Sequence, residues 1–473
     1  MNAPFRLLIL ALVVSGLSAC TLGPDYQRPE LEIPEQYRQV QGWKPAAPAD
    51  ALERGAWWSR YDDWELDALV ERLNVSNQNL AATEAQYRQA RALVRGARAA
   101  FYPTVSAGVD AGRASSGSQG LATTTTSRRE SFDANLGLNW QLDLWGRLRR
   151  TLESERAGAQ ASQADLAAAR LSLQTELVQN YLQLRVLDEQ RRLLDATLAA
   201  YQRSLRLTEN QYRAGIVPKS DVSQALTQLK STQAQAVDLE WQRAQLEHAI
   251  AVLIGLPPSG FTIAARNGLP GLPGVPQSLP SQLLERRPDV ASAERSVMAA
   301  NAGIGVAKTA WYPDLSLSAL GGYHSGSFAD WISLPNRYWS LGPALAMELF
   351  DGGARRAELE RAEAAYDQTV AQYRQTVLDA FREVEDALVE LSVLEREQQL
   401  QQEAVEAARE SLRLVENQYR AGTLDFNSVV NVQAAALNNE RTALSLLGNR
   451  LRASVQLIAA LGGGWETREL LEQ

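Results

Sequence analysis

The stretch "SLRLTENQYRAG", Ser204–Gly215, returns 207 residues later as "SLRLVENQYRAG", Ser411–Gly422, with eleven of twelve residues unchanged. Agreement of that length is far beyond chance, so the chain is an internal duplication. Other pairs keep nearly the same offset. "AAFYP", ending at Pro103, returns as "TAWYP", ending at Pro313, and "NLAATEA" from Asn79 parallels "DVASAER" from Asp289. The Pro/Gly-rich run Gly255–Pro280 separates the halves, because it can form neither a regular helix nor a central strand.

Each half reads as the same order of elements. A first helix is expected from about Asn77 to Ala100 and again from Asp289 to Ala310. Phe101-Tyr102-Pro103 and Trp311-Tyr312-Pro313 end them, since proline forbids continuation. Two strands follow in each half, then a very long helix. No proline occurs between Pro103 and Pro218, nor after Pro343. Roughly 64 residues from Arg149 to Tyr212 would make a helix about 96 Å long. Leu173, Leu177, Tyr181, Leu184 and Leu187, and in the other half Val377, Phe381, Val384, Leu388 and Leu391, recur every three or four residues. That period means coiled-coil packing. Gly215 and Gly422 stop the long helices as C-caps, and return helices run from Ser220-Asp221 to about Ile254 and from Asp425 to about Leu461.

The strands alternate cleanly. Phe132, Ala134, Leu136, Leu138, Trp140 and Leu142 share one face; Val105, Ala107, Val109 and Ala111 another; Leu315, Leu317, Ala319 and Tyr323 a third. Trp339, Leu341, Leu345, Met347 and Leu349 share the face of the fourth. Segments of about ten residues with this alternation match outer-membrane barrel strands; a soluble half-buried sheet is the plainer alternative. Four strands cannot close a barrel, and an open edge in lipid leaves backbone groups unsatisfied. Two copies would give eight strands, whose interior fills with side chains, whereas three give twelve and room for a pore.

At the start, Arg6, the apolar run Leu7–Val14 and then small residues form a secretory signal too short to span a bilayer. It ends in Leu17-Ser18-Ala19-Cys20, which looks like a bacterial lipobox, so Cys20 is expected to carry covalent lipid rather than a disulfide, being the only cysteine. By resemblance to bacterial lipoproteins, Thr21 in place of an aspartate favours the outer membrane. Loss of residues 1–19 removes Arg6 from the 47 cations and none of the 55 acids, leaving a net charge of −9. That acidic balance argues against nucleic acid as a partner. His248 and His324 lie far apart, and no metal cluster, phosphate loop or Ser/His/Asp set suggests itself. An enzyme is therefore the remote reading, and no cofactor or metal is expected.

The lipobox with "TLGPDYQRP", the two "NQYRAG" tips, "FYP" and "WYP", "LDLWGRLRR" and "LFDGGARR" together resemble the TolC family, and more narrowly the lipid-anchored outer-membrane factors of multidrug efflux pumps. The resemblance implies a mainly α protein with a membrane β part. Its trimer would hold a twelve-strand barrel, four strands per chain, continued by a periplasmic α-helical coiled-coil barrel built from two tandem repeats. It implies a passive exit duct served by a periplasmic adaptor and an inner-membrane transporter of the RND or ABC type. The expected division is signal peptide 1–19, anchor and equatorial segment 20–76, first repeat 77–254 with strands 104–113 and 131–142, connector 255–288, second repeat 289–461 with strands 314–323 and 337–349, and tail 462–473. By the same resemblance, Tyr419 matches a latch tyrosine and Asp221 its carboxylate partner at the periplasmic gate. Tyr419 could equally be packing in the helical seam, since Tyr212 holds the same place in the other half. Where many relatives carry ring acids, this chain has Ser428 and Asn431, with Asp425 a possible substitute. The tips Arg213-Ala214-Gly215 and Arg420-Ala421-Gly422 would touch the adaptor, or serve only as good turns. A type I protein-secretion duct and a lipid-anchored coiled-coil scaffold are the alternative functions.

Overall fold

The computed structural model describes residues 21–29, 56–119, 124–273 and 287–463. Cys20 and the signal 1–19 lie outside them, as do much of the 20–76 segment, residues 274–286 of the connector and residues 464–473 of the tail. The described chain contains seven α-helices and four strands. In order they are α1 Trp64–Ser76, α2 Gln78–Ala99, β1 Thr104–Gln119, β2 Thr124–Leu142, α3 Arg147–Arg213, α4 Lys219–Leu253, α5 Pro288–Thr309, β3 Asp314–Ser325, β4 Arg337–Ala346, α6 Ala354–Arg420 and α7 Phe426–Ala460. α3 and α6 have 67 residues each and α4 and α7 have 35 each, so the duplication seen at the tips extends to element length. The contacts fall into two units, each described by itself.

The first unit comprises residues 1–30, 86–162 and 292–374. Its sheet is antiparallel in the order β1-β2-β3-β4, and among the described strands β1 and β4 each have one neighbour only. Leu136 stands between Ala107 and Gly321, Leu138 between Val105 and Ala319, and Ala319 opposite Leu341. The register therefore gathers the alternating apolar residues of all four strands on one face, with Asn135, Asn139, Ser106 and Ser318 on the other. β1 and β2 run longer at their outer ends than the alternation indicated, through Thr and Ser residues that carry no apolar signal. β4 ends at Ala346 rather than at position 349, because its partner β3 begins at Asp314, the residue opposite Ala346.

The helices flanking the sheet end and start by matched devices. After α2, the amides of Phe101 and Tyr102 bond back to Arg98 and Ala99; after α5, those of Trp311 and Tyr312 bond back to Lys308 and Thr309. The prolines at 103 and 313 then forbid another turn. Asp143 accepts from the amides of Leu148 and Arg149 and from the Arg149 guanidinium at 2.9–3.1 Å. Asp351 does the same for Gly353 and Arg355, at 2.9, 3.0 and 2.6 Å. Each aspartate thus supplies acceptors to the free amides that open a long helix. This is the physical content of the aspartates in "LDLWGRLRR" and "LFDGGARR".

Residues 21–29 lie across this unit as a strap. The Leu22 amide donates to Trp145 O, and Arg150 donates to Leu22 O, Gly23 O and Asp25. Asn301 donates to Pro24 O, Tyr26 to Glu294, and Arg28 to the Tyr373 hydroxyl. Gly23 has φ +102, and a Cβ there would stand 2.5 Å from Gly305 Cα, so the strap and α5 meet glycine on glycine.

The second unit comprises residues 31–85, 163–291 and 375–473. Its core joins Leu177, Tyr181 and Leu184 of α3 to Ile250 and Leu253 of α4, Leu451 and Val455 of α7, and Leu66, Val70 and Leu73 of α1. Val377, Val384 and Leu391 of α6 are buried as well. Asp63 caps α1 and is itself buried, ion-paired with Arg185 at 3.0 Å and accepting from Tyr181 at 2.8 Å. The connector is tied to α3 and α4 by charged side chains. Arg185 donates to Gly268 O, Glu189 accepts from the Gly268 amide, and Arg243 donates to Ile263 O. No described helix is long and apolar enough to cross a membrane.

Candidate functional site

At the hairpin tips the two repeats fold alike. The Gly215 amide bonds Tyr212 O and the Ile216 amide bonds Gln211 O; the Gly422 amide bonds Tyr419 O and the Thr423 amide bonds Gln418 O. Both glycines have φ +73. This paired pattern is a Schellman C-cap, which closes the last carbonyls and needs a left-handed residue. Arg213, Ala214, Gly215, Arg420, Ala421 and Gly422 are all exposed. Arg213 bonds Asn210 and Arg420 reaches Glu416, each on its own helix.

The two tips are side by side within the second unit, joined by Gln224 and Asn427 at 3.4 Å. They differ at one equivalent pair. Tyr419 is 7% exposed and Tyr212 44%. Phe426 explains the difference: its ring lies 5.5 Å from that of Tyr419, and Ala225 and Val429 complete the cluster. Lys219 takes the place of Phe426 in the first repeat and leaves Tyr212 uncovered. Tyr419 is therefore seam packing, and it also makes a bond between the hairpins.

In the described chain Tyr419 is paired with a side chain other than the Asp221 expected for the latch. The Tyr419 hydroxyl donates to Gln211 Oε1 at 2.6 Å, whereas Asp221 accepts from Ser220 Oγ at 3.3 Å. Gln211 lies in the last turn of α3, facing the last turn of α6. Asp221 lies in the first turn of α4, where a carboxylate is favoured by the helix N-terminus. Burial raises the Tyr419 phenol above its ordinary pKa; a bond with Thr208 offsets part of this, and Asp221 adds a smaller upward push.

Asp425 caps α7 and accepts from the Ser428 amide at 2.8 Å. The Ser428 hydroxyl and amide together hold its carboxyl below the usual range. Asp425 is thus an exposed anion engaged as a cap, with Ser428 as its partner, and Asn431 is exposed one turn further along α7. Among the described residues no group of His, Cys, Asp or Glu is placed to hold a metal.

The sheet of the first unit is the other candidate. Val105, Val109, Leu136, Trp339, Leu341 and Leu345 all lie on its apolar face and are 58–75% exposed. A contiguous apolar surface of this kind is not left to water. From Phe132 to Leu142 the band of β2 is about 26 Å tall at ordinary strand rise and barrel tilt, close to the apolar band of an outer-membrane strand.

A sheet with one apolar face and, among the described strands, two unshared edges, in a chain whose two halves each follow their strands with a long and a return helix, defines a class: subunits of outer-membrane ducts. The chain belongs to the outer membrane efflux protein family, whose pattern matches residues 69–256 and 279–463. Among curated relatives, it is 33% identical over 458 residues to the pyoverdine export outer membrane protein OpmQ of Pseudomonas aeruginosa, covering 95% of both chains. It is 29% identical over 467 residues to the cation efflux system protein CusC of Escherichia coli, covering 98% of this chain and all of that one. Among solved structures, the outer-membrane channel OprN superposes with a TM-score of 0.86 at 32% identity, covering 94% of this chain and all of OprN. The resemblance to the TolC family therefore holds, and the protein is an outer-membrane efflux duct component.

The tips and the strand faces were marked by sequence; Gln211, Asp143 and Asp351 were not. The two aspartates had a readable signal, an acid three or four residues before a long helix. Gln211 had none, since its partner is 208 residues away.

Proposed function

We propose that three copies of the chain close a twelve-strand barrel in the outer membrane, and that their helical hairpins form a coiled-coil tube below it. The observation that carries this is the sheet: one apolar face, and β1 and β4 each with one neighbour among the described strands. In hydrocarbon each unsatisfied backbone group costs several kcal/mol. The edges are relieved if β4 of one copy pairs with β1 of the next. Twelve strands rather than eight leave a lumen.

The tube is a passive exit duct for small molecules. Its relatives are named for pyoverdine export and for cation efflux, and this spread fits a duct whose selectivity lies in the inner-membrane transporter. A periplasmic adaptor bridges that transporter, of the RND or ABC type, to the exposed tips 213–215 and 420–422. The Tyr419–Gln211 bond and the packing around Phe426 hold the tips closed at rest, with Asp425 the acid nearest the missing ring positions 428 and 431. Cys20 carries lipid and is an additional anchor.

Light scattering of the detergent-solubilised protein is expected to give three times the chain mass; a monomer or dimer would overturn the barrel. Mass spectrometry of the mature N-terminus is expected to show a diacylglyceryl group on Cys20, and an unmodified cysteine would remove the anchor from the account.

A further inference from the structure

The connection between β3 and β4, "GSFADWISLPN" at Gly326–Asn336, is unlike an ordinary water-facing loop. Phe328, Ile332 and Leu334 are 70–77% exposed, and Asp330 is its only charge.

The loop is nonetheless well fastened. The Trp331 indole N–H donates to Tyr323 O at 3.2 Å, Asn336 Nδ2 to Asp330 O at 2.7 Å, and the Ser327 amide to Ser325 Oγ at 3.1 Å. It also has a definite side. The rings of Phe328 and Trp331 lie 5.6 and 5.9 Å from Phe132, which belongs to the apolar face of the sheet. Phe328 and Trp331 are therefore folded over the outside of the strands, on the apolar face. Phe132 and Tyr323 belong to β2 and β3, the two inner strands, so the patch is centred away from both edges that a second copy would use.

Its height is set by the neighbouring residues. Two positions beyond Phe132 on β2, Glu130 forms an ion pair with Arg113 of β1. Charges reappear there on the outer face, which marks the end of the hydrocarbon band. Arg337, the first residue of β4, adds a cation to the outer face opposite Tyr323. Tryptophan is the residue enriched at such membrane–water boundaries.

We infer that the β3–β4 loop is an interfacial anchor, with Phe328, Ile332 and Leu334 inserted between the outer-leaflet lipids at the boundary of acyl chain and headgroup. The occupant is lipid because the patch continues, through Phe132, the apolar face of the strands. The inference rests on the reading of that face as lipid-facing. Trp331 is the pivot that holds the inserted side chains outward, and Arg337 is placed beside anionic headgroups.

The test uses the mature chain with Cys20→Ser, so that an introduced thiol is the only one. Phe328→Cys, Leu334→Cys, Leu136→Cys and Asn135→Cys are each labelled with an environment-sensitive fluorophore. The proteins are then reconstituted in phosphatidylethanolamine–phosphatidylglycerol vesicles carrying a nitroxide near the head or near the end of an acyl chain. Labels at 328 and 334 are expected to lose fluorescence to the shallow nitroxide, the label at 136 to the deep one, and the label at 135 to neither. If 136 is quenched by lipid while 328 and 334 respond only to aqueous iodide, the loop lies in water and the anchor is refuted, with the sheet reading intact. If 136 is not quenched by either nitroxide, the sheet reading fails and the anchor with it.

Discussion

The Tyr419 hydroxyl and Gln211 Oε1, 2.6 Å apart, join the last turn of α6 to the last turn of α3. Two repeats that are otherwise alike are thereby tied through one buried phenol. A neutral hydrogen bond of this kind contributes about 0.5–1.5 kcal/mol net, and three copies would bias the tips toward closure by about 1.5–4.5 kcal/mol if uncoupled. Tyr419→Phe, which keeps the packing on Phe426, should raise single-channel conductance and admit bulky antibiotics in the absence of the adaptor. Asp221→Ala should leave both unchanged. The reverse outcome would return the latch to the carboxylate. Because the phenol pKa is raised, the donor proton is kept below pH about 10 and lost only as pH rises through the higher folded value. The closed state should accordingly be indifferent to pH across the neutral range.

Asp351 behaves oppositely. The Gly353 amide, the Arg355 side chain and the Arg355 amide hold its carboxyl down at about 2. A depressed carboxylate contributes stability above its unfolded value, about 3.9, and loses it as pH falls through about 2. Asp351→Ala should therefore speed hydrogen exchange of the Gly353 and Arg355 amides at neutral pH, and the difference from wild type should shrink below pH about 4. A difference that persists unchanged at pH about 2 would mean that the cap acts through something other than its charge.

On the sheet, Leu136 and Asn135 are adjacent in sequence and opposite in face. Arg at Leu136 should cost about 2–4 kcal/mol of stability if that residue sits near the bilayer midplane, read as a lower denaturant midpoint in vesicles. Arg at Asn135 should assemble normally and change conductance. Equal effects at the two positions would contradict the assignment of faces.

Gly305 lies inside α5, where glycine costs roughly 1 kcal/mol against alanine. Its use is the strap: a Cβ there would stand 2.9 Å from Arg150 Cγ and 3.0 Å from Leu22 O. Gly305→Val should release residues 21–28 while leaving the helix itself intact. Limited proteolysis should then cut near Leu22 in the variant and spare that site in the wild type. Wild-type resistance in the variant would show that the strap is held without this close approach.

The sequence made much of this readable for reasons that the structure shows. Helix ends just before Phe101 and Trp311 follow from proline, and strand faces follow from strict alternation in a sheet that gathers its apolar side chains on one face. The helix α1 was missed although its buried Leu66, Leu69, Val70 and Leu73 keep helical spacing behind the capping Asp63. It is short and preceded by proline-rich and tryptophan-rich chain, which hides a single amphipathic stripe. The partner of Tyr419 was not readable at all. Gln211 and Asp221 are both polar and both close to the first tip, and only the facing of α3 against α6 selects between them. The strap was equally hidden, because it depends on two glycines 282 residues apart meeting through empty Cβ positions.

The central claim is that this chain, assembled with copies of itself, makes a continuous conduit. Purified protein added to a planar lipid bilayer tests it most directly. Discrete conductance steps are expected, small in the wild type and larger in Tyr419→Phe with Gln211→Ala, whose tips have lost their tie. A protein that inserts and remains trimeric by light scattering, yet carries no current in either form, would contradict the duct and leave a lipid-anchored scaffold in its place.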